Sequence, residues 1–117
     1  MTLEELEQRL QLRNLTPELK TMGQAEVCGG YASDLLSDVL AHAPPGGVLV
    51  TIQVHMNVIE VAVHAGLIGV IFAGGRTPDE TVRQKALSEG IRLLTSPAST
   101  FEVVGQLVGL GLRGAGR

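Results

Sequence analysis

Tryptophan is absent from this chain of 117 residues, and one tyrosine and two phenylalanines are its only aromatics. The core must therefore be aliphatic, built from Val, Leu, Ile and Ala. The single cysteine, Cys28, excludes an intrachain disulfide and a cysteine-based zinc cluster. No Lys or Arg lies close by in sequence to activate its thiol, so Cys28 reads as a small buried hydrophobe at a strand end. An excess of positive charge is missing too. Nine Lys and Arg stand against 12 Asp and Glu, a formal net charge of -3. The basic residues are scattered, which removes the electrostatic reason to bind nucleic acid or an anionic membrane. No apolar run approaches the ~18 residues of a membrane span. The acidic, amphipathic opening MTLEELEQRL is neither a signal nor a transit peptide. The expectation is a soluble, cytoplasmic protein with no nucleic-acid and no membrane partner.

What the chain has in plenty is glycine, 15 residues, about twice the usual share. Many of these glycines punctuate a repeating cycle. Thr2 and Glu5 have capping-box spacing before a helix at about residues 3–12. Residues 13–23 read as a connector, with turns at Thr16–Pro17 and Gly23. QAEVC (24–28) reads as a short strand ended by Gly29 and Gly30. An amphipathic helix follows, with Leu35, Leu36, Val39, Leu40 and Ala43 on one stripe and Asp34, Ser37, Asp38 and His42 opposite. GVLVTIQV (47–54) is a strand, MNVIEVAVHA (56–65) a helix capped by Gly66, and LIGVIFA (67–73) a strand buried on both faces. Thr77, Pro78 and Glu80 mark a helix start, Gly90 its end and IRLLT (91–95) the next strand. The last helix spans about Ser99 to Leu110, and the tail GLRGAGR reads as mobile.

Strand and helix alternate four times with short connections. The pattern predicts one three-layer α/β domain over residues 1–112, with a flexible tail at 113–117. Its sheet is mainly parallel, of about four strands, with helices on both faces and right-handed crossovers. Ligands of such sheets gather at the carboxyl ends of the strands. GGYASD, QVHMN, AGGRTPDE and TSPAST converge on that edge.

Three sets of residues there are candidates for a ligand site. Gln53, His55 and Asn57 alternate through a strand-to-helix junction. They read either as a rim that recognises a nucleotide or phosphorylated metabolite, or as junction hardware. In the second reading His55 and Asn57 cap the helix, a contribution of ~1 kcal/mol, and Gln53 satisfies loop backbone. Gly29 and Gly30 expose N–H groups to an anion if they precede a helix, and Tyr31 offers a ring for stacking. Against that, Asp34 and Asp38 in the first helical turns complement the positive helix end and repel phosphate. Gly74, Gly75 and Arg76 place the one cation of this edge where it can meet a phosphate or carboxylate, with Asp79, Glu80 and Asp34 as rival partners. Ser99 completes the candidate pocket. Glu60 and His64 stand one helical turn apart but have no third ligand, so no metal and no cofactor are expected. No nucleophile stands beside an evident base and orienter, and no catalytic residue is assigned.

The run GGYASDLLSDVLAHA, then TIQVHMNVIEVAVHAGLIGVIF, GGRTPDETVRQKALSEGIRLLTS and STFEVVGQL, resembles the DRTGG domain over about residues 2–112. Of the eponymous letters, Gly29 and Gly30 are present, and TMGQAEVC stands where the others would lie. The resemblance implies an α/β domain similar to the N-terminal domain of HPr kinase/phosphorylase. Such domains accompany CBS domains in family II inorganic pyrophosphatases and precede phosphotransacetylase catalytic domains, where they look regulatory or dimer-forming. A kinase of the HPr type needs a P-loop, GxxxxGK[ST], and the chain has none.

Two helices look too apolar for a monomer. Residues 56–65 are apolar nearly all round. In 99–110, Phe101, Val104 and Val108 form one stripe, and Val103, Leu107 and Leu110 another. A second stripe needs a cover. The cover is a homodimer through these helices, or the N-terminal helix of the same chain. The expected function is a non-catalytic regulatory or ligand-binding module acting as a homodimer, with a small anionic ligand. A purely structural dimerisation module and an accessory subunit of a kinase or phosphatase system are the alternatives.

Overall fold

The computed structural model describes residues 1–114. Five helices alternate with five strands. The helices are Leu3–Arg9 (α1), Leu36–His42 (α2), Met56–Ala65 (α3), Glu80–Glu89 (α4) and Thr100–Gly109 (α5). The strands are Arg13–Asn14 (β1), Gly30–Ala32 (β2), Val48–Thr51 (β3), Gly69–Phe72 (β4) and Arg92–Thr95 (β5). The sheet order is β1-β5-β4-β3-β2. The four longer strands run parallel, and β1 pairs antiparallel with β5 at Arg13–Thr95 and Asn14–Leu94. The three-layer α/β expectation holds, with five strands in place of about four. The fifth is too short to leave a hydrophobic pattern.

The strands alternate strictly between two cores. Leu49, Val70, Phe72 and Leu93 face α2, α3 and α4. Val48, Val50, Ile71 and Leu94 face α1 and α5. Each parallel crossover thus passes over the same face, while α1 and α5 cover the other. The strand order never reverses from β2 to β5, so these strands lack the switch-point crevice of a doubly wound sheet. A ligand site must come from the loops.

Several local expectations shift. QAEVC is not a strand. Lys20–Gln24 is a 3-10 helix, and beyond it only Glu26 bridges, to Thr2. The strand begins at Gly30 because its neighbour is β3, with Gly30 in register with Val48. Cys28 is exposed, ahead of the sheet, and its Sγ would lie 2.8 Å from a Cβ at Gly46. In α2, Val39 and Ala43 are buried, but Leu35 and Leu40 are 65% and 52% exposed. The helix starts after Leu35, which turns the expected stripe partly outward. The N-cap of α4 is Asp79, which accepts from Val82 N at 3.0 Å, not Thr77. Gly66 and Gly90 take the left-handed conformation at the ends of α3 and α4 (φ 72° and 73°), where glycine carries least strain.

The apolar wrap of α3 has an internal explanation. The helix is flanked by α2 on one side and α4 on the other. Val58, Ile59 and Ala62 are fully buried, and Val63 is its one exposed large apolar residue. Much of its apolar surface is therefore covered within the chain. Beyond α5, Leu112 N bonds Leu107 O, and Gly30 N donates to Arg113 O at 2.9 Å. The expected mobile tail is tied down there as far as Arg113, and its residues 115–117 lie outside the described part. No helix among the described residues is long and apolar enough to cross a membrane.

Candidate functional site

Four loops leave the carboxyl ends of β2 to β5, and hydrogen bonds join them in two pairs. Asp34, after β2, accepts at Oδ1 from Thr51 Oγ1 (2.8 Å) and Ile52 N (2.9 Å). Gln53 Nε2 donates back to Asp34 O at 3.1 Å. On the other side, Gly74 N donates to Ala98 O and Gly75 N to Ser96 O, at 2.7 and 2.8 Å. Between the middle pair, the loops after β3 and β4, only Ala73 N to Thr51 O connects the backbone at the strand ends. Past that bond no hydrogen bond crosses the seam among the described residues. The seam opens into a cleft of about 710 Å³ lined by Gln53, Val54, His55, Met56, Thr77, Asp79, Thr81 and Val82.

The side chains of this cleft are already half-committed. His55 is the N-cap of α3, and its Nδ1 accepts from Asn57 N at 3.3 Å. A neutral imidazole that accepts at Nδ1 carries its proton on Nε2, which leaves one N–H donor to offer. Asp79 gives Oδ1 to Val82 N and keeps Oδ2. Gln53 spends its amide nitrogen on Asp34 and keeps Oε1. The hydroxyls of Thr77 and Thr81 have no protein partner among the described residues. The cleft thus sets one N–H, two hydroxyls, an amide oxygen and a carboxylate oxygen beside the apolar Val54, Met56 and Val82. That array suits a hydroxylated, partly apolar small molecule.

Arg76 stands next to Thr77 in the chain. It is exposed, and its guanidinium has no ion pair or hydrogen bond among the described residues. Its rivals are engaged elsewhere. Asp34 holds β3, Asp79 caps α4, and Glu80 binds Arg83 Nε at 2.9 Å. The internal salt bridge weighed from sequence does not form.

The other sequence candidates scatter. Asn57 is exposed in the first turn of α3 and meets His55 only through its backbone N–H. Gly74 and Gly75 are on the expected edge, but both N–H groups are used within the loops. Ser99 caps α5, accepting from Glu102 N at 3.2 Å. Gly29 and Gly30 sit at the start of β2, the opposite end of the sheet, because the strand follows the glycine pair instead of preceding it. Tyr31 points to α2, where its hydroxyl donates to Asp38 Oδ2 at 2.8 Å. Thr77, Thr81 and the latch residue Asp34 were missed as site elements. For Asp34 and Thr77 a position in the loops after β2 and β4 was the available signal, whereas Thr81 lies in the first turn of α4. Glu60 and His64 do not present a bidentate pair, since His64 Nδ1 lies 2.9 Å from the Glu60 carbonyl oxygen. The described residues hold no group of three or more His, Cys, Asp or Glu placed to share a metal ion.

No protein-family model and no curated protein matches the sequence. Among solved structures there is a match in fold. It is the crystal structure of the CBS and DRTGG domains of the regulatory region of Clostridium perfringens pyrophosphatase, complexed with its activator, diadenosine tetraphosphate. The similarity has a TM-score of 0.69 at 16% identity, over 92% of this chain and 46% of that one. At that identity the likeness establishes a shared fold. This chain spans less than half the length of its neighbour.

Proposed function

We propose that this domain is a non-catalytic regulatory module that binds a small phosphorylated molecule of the nucleotide class and acts as a homodimer. The observation that carries the reading is the open seam between the loops after β3 and β4, with exposed Arg76, free of ion pairs among the described residues, one position before the lining residue Thr77. The hydroxylated and apolar part of the ligand occupies the cleft, and its phosphate turns toward Arg76, away from Asp79. The fold neighbour supports the regulatory part of this reading, being itself a regulatory region crystallised with a nucleotide activator. No threonine hydroxyl of the cleft is hydrogen-bonded to His55 or Asp79 among the described residues, which supports the non-catalytic part of the reading.

Thermal-shift titration against adenine nucleotides and phosphorylated metabolites tests the ligand. A saturable stabilisation is expected, of about 2.7 kcal/mol at a hundredfold excess over Kd. It should be lost in Arg76→Ala and in His55→Asp, where Asp keeps the helix cap but has no N–H donor. No shift across the panel overturns the ligand and favours a purely structural dimerisation module.

A further inference from the structure

We infer that the outer face of α5 is the contact between two copies of this chain, with Phe101 of each copy seated in a groove beside β2 of the other. The inference rests on the homodimer reading above and specifies its surface. Phe101 is 87% exposed, more than any other large apolar side chain, and Val108 on the same helix is 52% exposed. Val103 and Leu107 fix the inward side of α5 by packing on the sheet. At 100° per residue, Gly105 lies about 160° round the helix from each of them, on the outermost ridge. A Cβ at Gly105 or Gly109 would meet nothing within 4 Å. Nothing among the described residues therefore explains an interior glycine that costs a helix ~1 kcal/mol relative to Ala. Glu102 is the one charged residue of α5.

The groove lies between α5 and β2, the edge strand of the sheet. It has a volume of about 150 Å³; the strand Gly30–Ala32 borders it, and its apolar walls include Val50, Val104, Leu107, Val108 and Leu112. An apolar cavity of ~150 Å³ holds one benzene ring, the group that Phe101 carries. The register agrees with the volume. Let two α5 helices cross antiparallel at Gly105. Phe101 lies four residues to one side of the crossing and Gly109 four residues to the other, ~6 Å each way. Phe101 of one copy then lies over Gly109 of the other, beside Val108 and Leu112, which form the groove wall. A twofold axis perpendicular to both helices keeps their groove sides together, so both rings enter at once. The contact is self-complementary and closes at two copies. This occupant fits better than an unrelated protein because the ring and its receptor are on the same helix.

Light scattering over a range of concentrations, with cysteine cross-linking, tests the arrangement. The chain should reach twice its 12.3 kDa mass. Phe101→Asp, at a side chain free of intramolecular burial, should weaken dimerisation at least a hundredfold with an unchanged far-UV circular dichroism spectrum. In a Cys28→Ser background, Gly105→Cys should cross-link to its own copy under mild oxidation. Ser37→Cys, on α2 across the sheet, should not. A dimer that survives Phe101→Asp at wild-type affinity, or one in which Gly105→Cys does not cross-link, overturns the α5 contact and leaves the homodimer standing. A 12.3 kDa mass at every concentration overturns both.

Discussion

Arg92 reaches from β5 to α1, where its Nη1 donates to Glu7 Oε2 at 2.6 Å. The side chains are 6% and 19% exposed. Nη2 donates to Leu19 O, so one guanidinium holds both the first helix and the connector after it. Its Nε is buried without a partner. Removing one member of a buried pair leaves the other desolvated and unpaired, which costs more than the pair contributes. Arg92→Met should therefore lower stability by about 2–3 kcal/mol, less than a fully buried pair because Glu7 keeps some water. Arg92→Met combined with Glu7→Leu should recover a large part of that loss. Urea unfolding of the two variants measures the difference.

The Asp34 latch is the second testable feature. Its carboxylate accepts from Thr51 and from Ile52 N, where the loop after β2 meets the loop after β3. Hydrogen bonds to a charged acceptor contribute about 1.5–3 kcal/mol. Asp34→Ala should cost about 1–2 kcal/mol, because Asp34 is exposed and water replaces part of the lost bonding. A double-mutant cycle with Thr51→Val should show a coupling of at least ~0.5 kcal/mol, as expected for direct partners. Additivity within error would mean that the two residues act independently.

Glu80 gives a pH signature. Its hydrogen bonds from the Arg83 guanidinium, and then from Gln84, bring its carboxyl down to about 2 from an ordinary 4.5. A depressed carboxylate contributes stability that is complete above its unfolded value and disappears as pH falls through its folded one. The contribution of Glu80 should therefore fade between about pH 4.5 and 2. Carboxyl NMR titration should show an inflection near 2 in the native chain, moving up toward 4.5 in Arg83→Ala. An inflection already near 4.5 in the native chain would show that Arg83 does not hold Glu80 in solution.

Residues that answer to local rules were legible in the sequence, and residues that answer to distant neighbours were not. Thr2 and Glu5 form the expected capping box, and Gly66, Gly90 and Ser99 end or start their helices where spacing put them. The glycine pair at 29–30 misled because its reason is non-local. A Cβ on Gly29 would lie 3.0 Å from Arg113 O, and one on Gly30 3.2 Å from Leu112. These glycines make room for the chain end and do not stop a strand. That misreading carried Gly29 and Gly30 to the wrong end of the sheet. In the same way, the apolar wrap of α3 was visible in its sequence, but not that α2 and α4 supply the cover. The cleft itself is a gap between two loops. No residue pattern announces a missing hydrogen bond.

Ser99 separates a structural role from a ligand role. Its hydroxyl accepts from Glu102 N at 3.2 Å and closes the start of α5. It sits after β5, in the loop that the Gly74 and Gly75 N–H groups tie to the loop after β4, and it does not line the cleft. Loss of an N-cap serine costs about 1 kcal/mol, and Asp fills the same position well. Ser99→Ala should lower stability by about that amount, and Ser99→Asp should restore it. In both variants any ligand-induced stabilisation found for the unmodified chain should be retained, because no cleft atom changes. A Ser99→Ala chain of normal stability that no longer responds to ligand would move the binding surface toward the end of β5 and away from His55.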